Sequence, residues 1–455
     1  MTMARKTMVC TRLAGALLGA GLALPAGAHG LLEGWQAALA ADPQYRSARY
    51  ERDAGRLSVP LARAGLLPNI AIATSDSKVN GSRTSLIPGL TDASTTPLAY
   101  TSQSRALNMR MPLYYKEGWE RLRQGEAQAE YANALFEVRA KDLAQRLGQA
   151  YFELLLGLET IDLAQAQVQT YREQINFANR RFAGGEGTRT EVFEATARLD
   201  LAEAQLIDAR DQVDVARRTL SNITGRDSMS VTPLRHAPGT MTLTPAGLDA
   251  WMELGRRDSP ELRVRQRAIE TARADVARNR AGHMPRVDLV ASISQTRNDT
   301  VNTLNSEFNL RSIGVQVSLP IYSGGSVVAG VDQAVANLSR AEAELENEVN
   351  TQMVEVRRQY LAVVNGLAKM SAYEKAAASS DVALEGTRQG LRAGIRTNLD
   401  VLDAQRQVFQ ARRDLAQARY QYLLAMLRLK SAAGQSLEEA IGELDKVLVS
   451  ARSGS

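Results

Sequence analysis

Gly394–Leu429 reads GIRTNLDVLDAQRQVFQARRDLAQARYQYLLAMLRL, and its apolar rhythm decides the fold. Val401, Ala404, Val408, Ala411, Leu415, Ala418, Tyr422, Ala425 and Leu429 step by alternating threes and fours. Moving 209 residues back gives Val192, Ala195, Leu199, Ala202, Leu206, Ala209, Val213, Ala216 and Leu220, again all apolar. Such a 3/4 alternation is the seam of a coiled coil, and alanine at every second seam position lets the helices approach closely.

A longer helical pattern precedes each seam. Val327, Val331, Ala334, Leu338, Ala341 and Leu345 keep the rhythm, one residue slips before Val349 and Met353, and the rhythm resumes at Val356, Tyr360, Val363, Leu367 and Met370. A one-residue slip alters supercoiling without ending a helix. The earlier copy runs from Leu122 through Phe136, Leu147, Tyr151, Leu154 and Leu158 to Ile161. About 65 residues of helix would span roughly 100 Å. Each long helix ends at a glycine turn, Phe182–Thr188 or Leu391–Thr397. Gly185 and Gly394 are expected as left-handed caps, with Thr190 and Asn398 capping the following helices.

Ahead of each long helix the period changes to two. In Ser312–Tyr322, Ile313, Val315, Val317, Leu319 and Ile321 share one face, and Ser312, Gly314, Gln316 and Ser318 the other. Ala106–Tyr114 alternates similarly, and further strands begin at Pro68–Ser75 and Pro285–Ser294. These lengths approach the 9–11 residues of a membrane-crossing strand. The same alternation fits a soluble hairpin with one wet face. An export signal and the tyrosines Tyr114, Tyr115 and Tyr322 favour the membrane. Polar stretches Asn80–Ser104 and Asn298–Glu307 read as exposed loops, and Leu31–Leu66 and Leu248–Gly282 as shorter helices.

The export signal is the basic MTMARKTMVCTR, a short apolar run and PAGA, with cleavage predicted after Ala28. Cys10, the only cysteine, would leave with it, excluding disulfides and thiol chemistry from the mature chain. Without Arg5, Lys6 and Arg12 the formal charge falls from +5 to +2, and no basic block with interleaved aromatics points to nucleic acid. The chain is therefore divided into a signal peptide (1–28), a first repeat (29–224), a linker (225–247), a second repeat (248–434) and a C-terminal tail (435–455). Four strands cannot close a barrel, whereas three chains would supply about twelve.

Beside the turns stand the acids Glu191 and Glu194, and their counterparts Asp400 and Asp403. Paired carboxylates suit acid–base catalysis, a metal site or a solvated helix start. No cleft-forming pattern accompanies them, and His29, His236 and His283 are scattered, so neither catalysis nor a metal or cofactor site is expected. With Val401 at heptad position a, Asp400 falls at g and Asp403 at c, off the seam, in one polar stripe with Arg396.

The order strand–strand–long helix–glycine turn–seam helix, twice over, resembles the TolC family of outer-membrane ducts. The matching segments are SLPIYSGG (Ser318–Gly325), AGIRTNLDVLDAQ (Ala393–Gln405) and ARRDLAQARYQYLLAMLRLKSAAG (Ala411–Gly434). The second half is most similar to members serving type I secretion. The resemblance implies a mainly helical homotrimer: a 12-stranded β-barrel in outer-membrane lipid and a coiled-coil tunnel across the periplasm. It also implies a periplasmic membrane-fusion adaptor, an inner-membrane ABC transporter and no catalysis. Asp400 and Asp403, with Glu191 and Glu194, would line a constriction, their crowding raising the carboxyl pKa values. Arg396, Thr190 and Glu191 would hold it shut, although a tyrosine of the family's lock falls on Leu391. Gly185 and Gly394 would mark the adaptor-docking turns. A multidrug or metal efflux duct, served by a proton-driven pump, is the alternative within the fold. A periplasmic coiled-coil adaptor is the alternative outside it.

Overall fold

A computed structural model describes residues 30–85, 94–227, 231, 243–298 and 300–453. The expected signal segment 1–28 with Cys10, as well as His29, His236 and most of the expected linker, lie outside the described residues. The chain begins with helices α1 (Leu31–Ala41), α2 (Pro43–Arg56) and α3 (Ser58–Ala64). The single helix expected over Leu31–Leu66 is thus divided. Asp42 is the N-cap of α2, accepting the Tyr45 N–H at 2.6 Å, and Pro43 stands at the first helical position. Proline is pre-set for that position and cannot continue a preceding helix. Ser259–Pro260 divides the second expected helix in the same way, into α6 (Leu248–Asp258) and α7 (Pro260–Arg280).

Strands β1 (Asn69–Ser85) and β2 (Ser94–Tyr115) precede the long helix α4 (Lys116–Ala183). Strands β3 (Arg286–Arg297) and β4 (Glu307–Ser318) precede α8 (Ser326–Arg392). The sheet is antiparallel throughout, in the order β1-β2-β3-β4. The first hairpin is longer than its alternation suggested: Asn80–Ser104 is not one loop, because pairing continues from Ser75–Ser104 to Ser85–Ser94. That extension is rich in Ser, Thr and Asn, so backbone pairing continues where no apolar face marks it. The strand expected to reach Tyr322 ends instead at Ser318.

The two faces of the sheet differ. Ile313, Val315 and Val317 are 76%, 61% and 65% exposed on one face. On the other, Arg110 Nη2 donates to Gln316 Oε1 at 3.3 Å, and Asp288 is buried under Arg286 at 2.9 Å. The expected partition holds at the helix end of the sheet. It breaks toward the hairpin tips, where Phe308 and Leu310 alternate onto the polar face and Arg311 onto the apolar one.

Helices α5 (Arg189–Thr224) and α9 (Asn398–Ala432) return antiparallel along α4 and α8. Long helices of 68 and 67 residues agree with the periodicity, and α8 runs unbroken through the slip. Ala195, Ala202, Ala209, Ala216, Ala411, Ala418 and Ala425 are buried in the seams, as their small size allows. Gln352 and Gln359 are buried in α8 too; Gln352 Nε2 donates to the Ala432 carbonyl at 2.8 Å. The main core gathers α1, α4, α5, α6, α8, α9 and α10 (Leu437–Ser453) around Trp251, Tyr151, Tyr422, Leu423 and Leu444. No helix among the described residues is long and apolar enough to cross a membrane.

Candidate functional site

The two helical hairpins turn by the same device. After α4, Gly185 has φ +79°, its N–H donates to Phe182 O at 3.1 Å, and the Glu186 N–H to Arg181 O at 2.9 Å. After α8, Gly394 has φ +75°, with Gly394 N–H to Leu391 O at 3.1 Å and Ile395 N–H to Gly390 O at 3.0 Å. These are Schellman closures, which satisfy the last carbonyls of a helix through a left-handed residue. A Cβ at either glycine would meet nothing within 4 Å. Backbone sign, not crowding, selects glycine there.

The caps fall earlier than Thr190 and Asn398. Thr188 and Thr397 hold extended backbone and cap α5 and α9, their hydroxyls each accepting an N–H at 3.2 Å, from Glu191 and Asp400. Thr190 is already helical and solvent-exposed. Asn398, the first residue of α9, is buried and takes a hydrogen bond from Gln174 of α4.

Asp400 completes a capping box: its Oδ2 accepts the Thr397 N–H at 2.8 Å and the Thr397 hydroxyl at 2.9 Å. Within one protomer the shift of the Asp400 carboxyl is downward. The Thr397 backbone N–H first, its hydroxyl second and Arg396 more weakly hold the Asp400 carboxyl below its ordinary value. These bonds favour the charged form. Glu191 instead lies 3.9 Å from Arg181, and Glu194 is half-buried on the same helix.

The contacts between the hairpins bring in residues the heptad did not single out. Asp403 accepts from Arg198 Nη2 of α5 at 2.9 Å, and Arg406 approaches it at 3.6 Å. Leu402, at heptad position b, is 0% exposed among Val168, Tyr171, Ala195 and Ala202 of the first hairpin. Gln405, one turn on, is buried as well. Thus α9 carries a second seam of Leu402, Gln405, Ala416 and Leu423, offset by one residue from the first. Arg396, Thr190 and Glu191 share no hydrogen bond or ion pair within the protomer among the described residues. Arg396 is exposed, and Leu391 is partly exposed in the turn. No group of His, Cys, Asp or Glu able to hold a metal occurs among the described residues.

Apolar-faced strands continuing into paired helices of this length define an outer-membrane channel protein. The chain belongs to the outer membrane efflux protein family, whose model matches residues 35–226 and 251–435. It is 36% identical to the proteases secretion protein PrtF of Dickeya chrysanthemi, over 92% of this chain and 90% of that one. It is 35% identical to the alkaline protease secretion protein AprF of Pseudomonas aeruginosa, over 96% and 91%. Among solved structures, the outer membrane protein VceC of Vibrio cholerae superposes with a TM-score of 0.73 at 18% identity, covering 90% of this chain and 96% of that one. The expectation of a TolC-type duct in the outer membrane is therefore met.

Proposed function

We propose that three copies of this chain form a duct that passes polypeptides through the outer membrane in type I secretion. The observation that carries this reading is the four-stranded sheet with free edges on β1 and β4, its apolar face exposed. An unpaired strand edge is not tolerated in lipid. Joining β4 of one copy to β1 of the next is a head-to-tail contact, which closes into a ring. Three such sheets give about twelve strands, within the range of membrane barrels. The names of PrtF and AprF, both secretion proteins for proteases, support a protein cargo over a drug or metal ion. An inner-membrane ABC transporter and a periplasmic adaptor would supply energy and continuity, the adaptor packing at the turns of Gly185 and Gly394. The chain itself acts as a conduit.

In the trimer the helical turns are the narrow end. Asp400, Asp403, Glu191 and Glu194 would repeat threefold there and concentrate cations. Asp403 is partly neutralised by Arg198 and Arg406, so Asp400 carries more of the field. Arg396, without an ion pair in its own protomer among the described residues, is free to link to Thr190 or Glu191 of a neighbouring copy. The test is reconstitution of the purified protein in a planar bilayer, with export of a protease substrate restored in a strain lacking its own duct. Ion conduction and restored export are expected. A protein that fractionates with the inner membrane and does not conduct would instead be an adaptor.

A further inference from the structure

The register of the sheet resolves its outward face into rows. Near the helices Tyr114, Val287 and Val317 form one row, followed by Met111–Leu289–Val315 and Ile70–Met109–Ala291–Ile313. The next row, Ile72–Leu107–Ile293–Arg311, carries the first charge, and Thr74–Arg105–Gln295–Asn309 is polar throughout. A groove of about 360 Å³ lies at this transition, walled by Ile70, Leu107, Met109, Ile293 and Ile313 and bounded by Arg311.

Arg311 and Arg105 are both exposed, and neither makes an ion pair or hydrogen bond among the described residues. Their neighbours differ. Arg110 and Arg286 pair with Asp288, and Arg297 pairs with Glu307 at 2.9 Å. Glu307 also accepts from Gln295, leaving Asp76, beyond Arg105, as the acid on this part of the face, against Lys78, Arg105 and Arg311. The two guanidinium groups therefore have no anionic partner within the chain among the described residues, and an anion from outside can take that place.

Depth identifies its source. Six residues separate Val317 from Arg311, roughly 20 Å along a strand. With a strand tilt near 40° the rise is about 16 Å, past the midplane of an apolar band about 25 Å tall and roughly 9 Å short of its far boundary, with Arg105 one row further and roughly 5 Å higher. The hairpin tips point away from the helices, so this boundary belongs to the outer leaflet. A guanidinium there extends toward the headgroups, and a phosphate fits its fork in bidentate fashion. A free anion would leave the groove beneath unused, whereas an acyl chain fills it.

We propose that Arg105, Arg311 and the groove below them bind a phosphate-bearing lipid of the outer leaflet, phosphate between the arginines and one acyl chain against Ile70, Leu107 and Ile293. The site rests on the barrel reading given above, because it needs this face to meet lipid.

The test is native mass spectrometry of the full protein in detergent, titrated with a bisphosphorylated multi-acyl glucosamine disaccharide, its dephosphorylated form, and inorganic phosphate. Preferential retention of the phosphorylated lipid is expected, with affinity falling about tenfold or more in Arg105→Gln/Arg311→Gln. Equal retention of the two lipid forms, or an unchanged double variant, would overturn the site. Competition by inorganic phosphate at equal concentration would reassign it to a free anion and overturn the lipid assignment. The lipid comparison on the unmodified protein needs no variant to fold. Conductance is recorded on the same preparation: a protein that does not conduct strikes the duct reading, and one that conducts without lipid preference strikes this site alone.

Discussion

Two contacts of different kinds tie the hairpins together beside the helical turns, and their magnitudes separate them. Leu402 is 0% exposed in a pocket of Val168, Tyr171, Ala195 and Ala202. Truncating such a leucine to alanine costs about 2–5 kcal/mol, from lost transfer energy and the cavity left behind. The Arg198–Asp403 pair sits at 2.9 Å, but its side chains are 25% and 47% exposed. Solvent screening reduces a pair of that kind to about 0.2–1 kcal/mol. If separation of the hairpins widens the mouth, Leu402→Ala raises the open population of each protomer by at least about 25-fold. Arg198→Ala raises it by at most about fivefold, at tenfold per 1.4 kcal/mol. The assay is single-channel recording in planar bilayers, scoring the fraction of time at the higher conductance level, with circular dichroism to show that both variants keep their helices. An Arg198→Ala channel as open as Leu402→Ala, or a Leu402→Ala channel indistinguishable from the parent, would refute the claim that apolar packing holds the mouth.

Asp400→Asn with Asp403→Asn is expected to move the reversal potential in a salt gradient toward zero; an unchanged potential would remove the acids from selectivity. Because the capping box holds the Asp400 carboxyl below its ordinary value, its share of cation selectivity is expected to persist at about pH 4 and fade only on further acidification. Thr397→Val should bring that loss to higher pH, and coincident titrations in the two proteins would argue against the box. Burial raises the Asp42 pKa, but hydrogen bonds from Arg146 and the Tyr45 N–H outweigh it, and the net shift is downward. The stability Asp42 contributes is therefore complete above about pH 4 and lost as pH falls through the lowered value. Asp42→Ala, losing both a cap and a charged hydrogen bond, should cost about 1–3 kcal/mol at neutral pH, read as a lower thermal midpoint. Gly394→Val should cost about 1–3 kcal/mol through its positive φ while leaving oligomerisation intact; cross-linking to the adaptor should fall.

The sequence displayed its helical hairpins well because their information is periodic. The seam runs through alanines at fixed spacing, and glycine is the residue that reverses a helix at φ +79° and +75°. The helix breaks at Asp42–Pro43 and Ser259–Pro260 were written in the chain as cap and first-position proline, but the apolar pattern continued across them. Polar strand from Asp76 to Ser85 had no alternation to display, since both its faces are exposed apart from partly buried Val79 and Ser85. Beside the glycine turns, the seam rhythm located the acids but not their partners. Leu402 lies one position off the seam, and its pocket is lined from residues 200 or more positions earlier in the chain. Arg198 meets Asp403 across 205 residues. Contacts between hairpins depend on how far one rolls against the other, which a single-helix period does not encode.

A closed barrel requires β4 of one copy to pair with β1 of the next and the ring to close at three. Cysteines introduced singly along Asn69–Ser85 and along Glu307–Ser318, combined in pairs in a chain whose Cys10 is replaced by serine, test it by oxidation in the outer membrane. Cross-linked dimers and trimers are expected for a set of pairs spaced two residues apart, with no species above the trimer. Ladders continuing past three copies, or cross-links between two β1 strands, would contradict it.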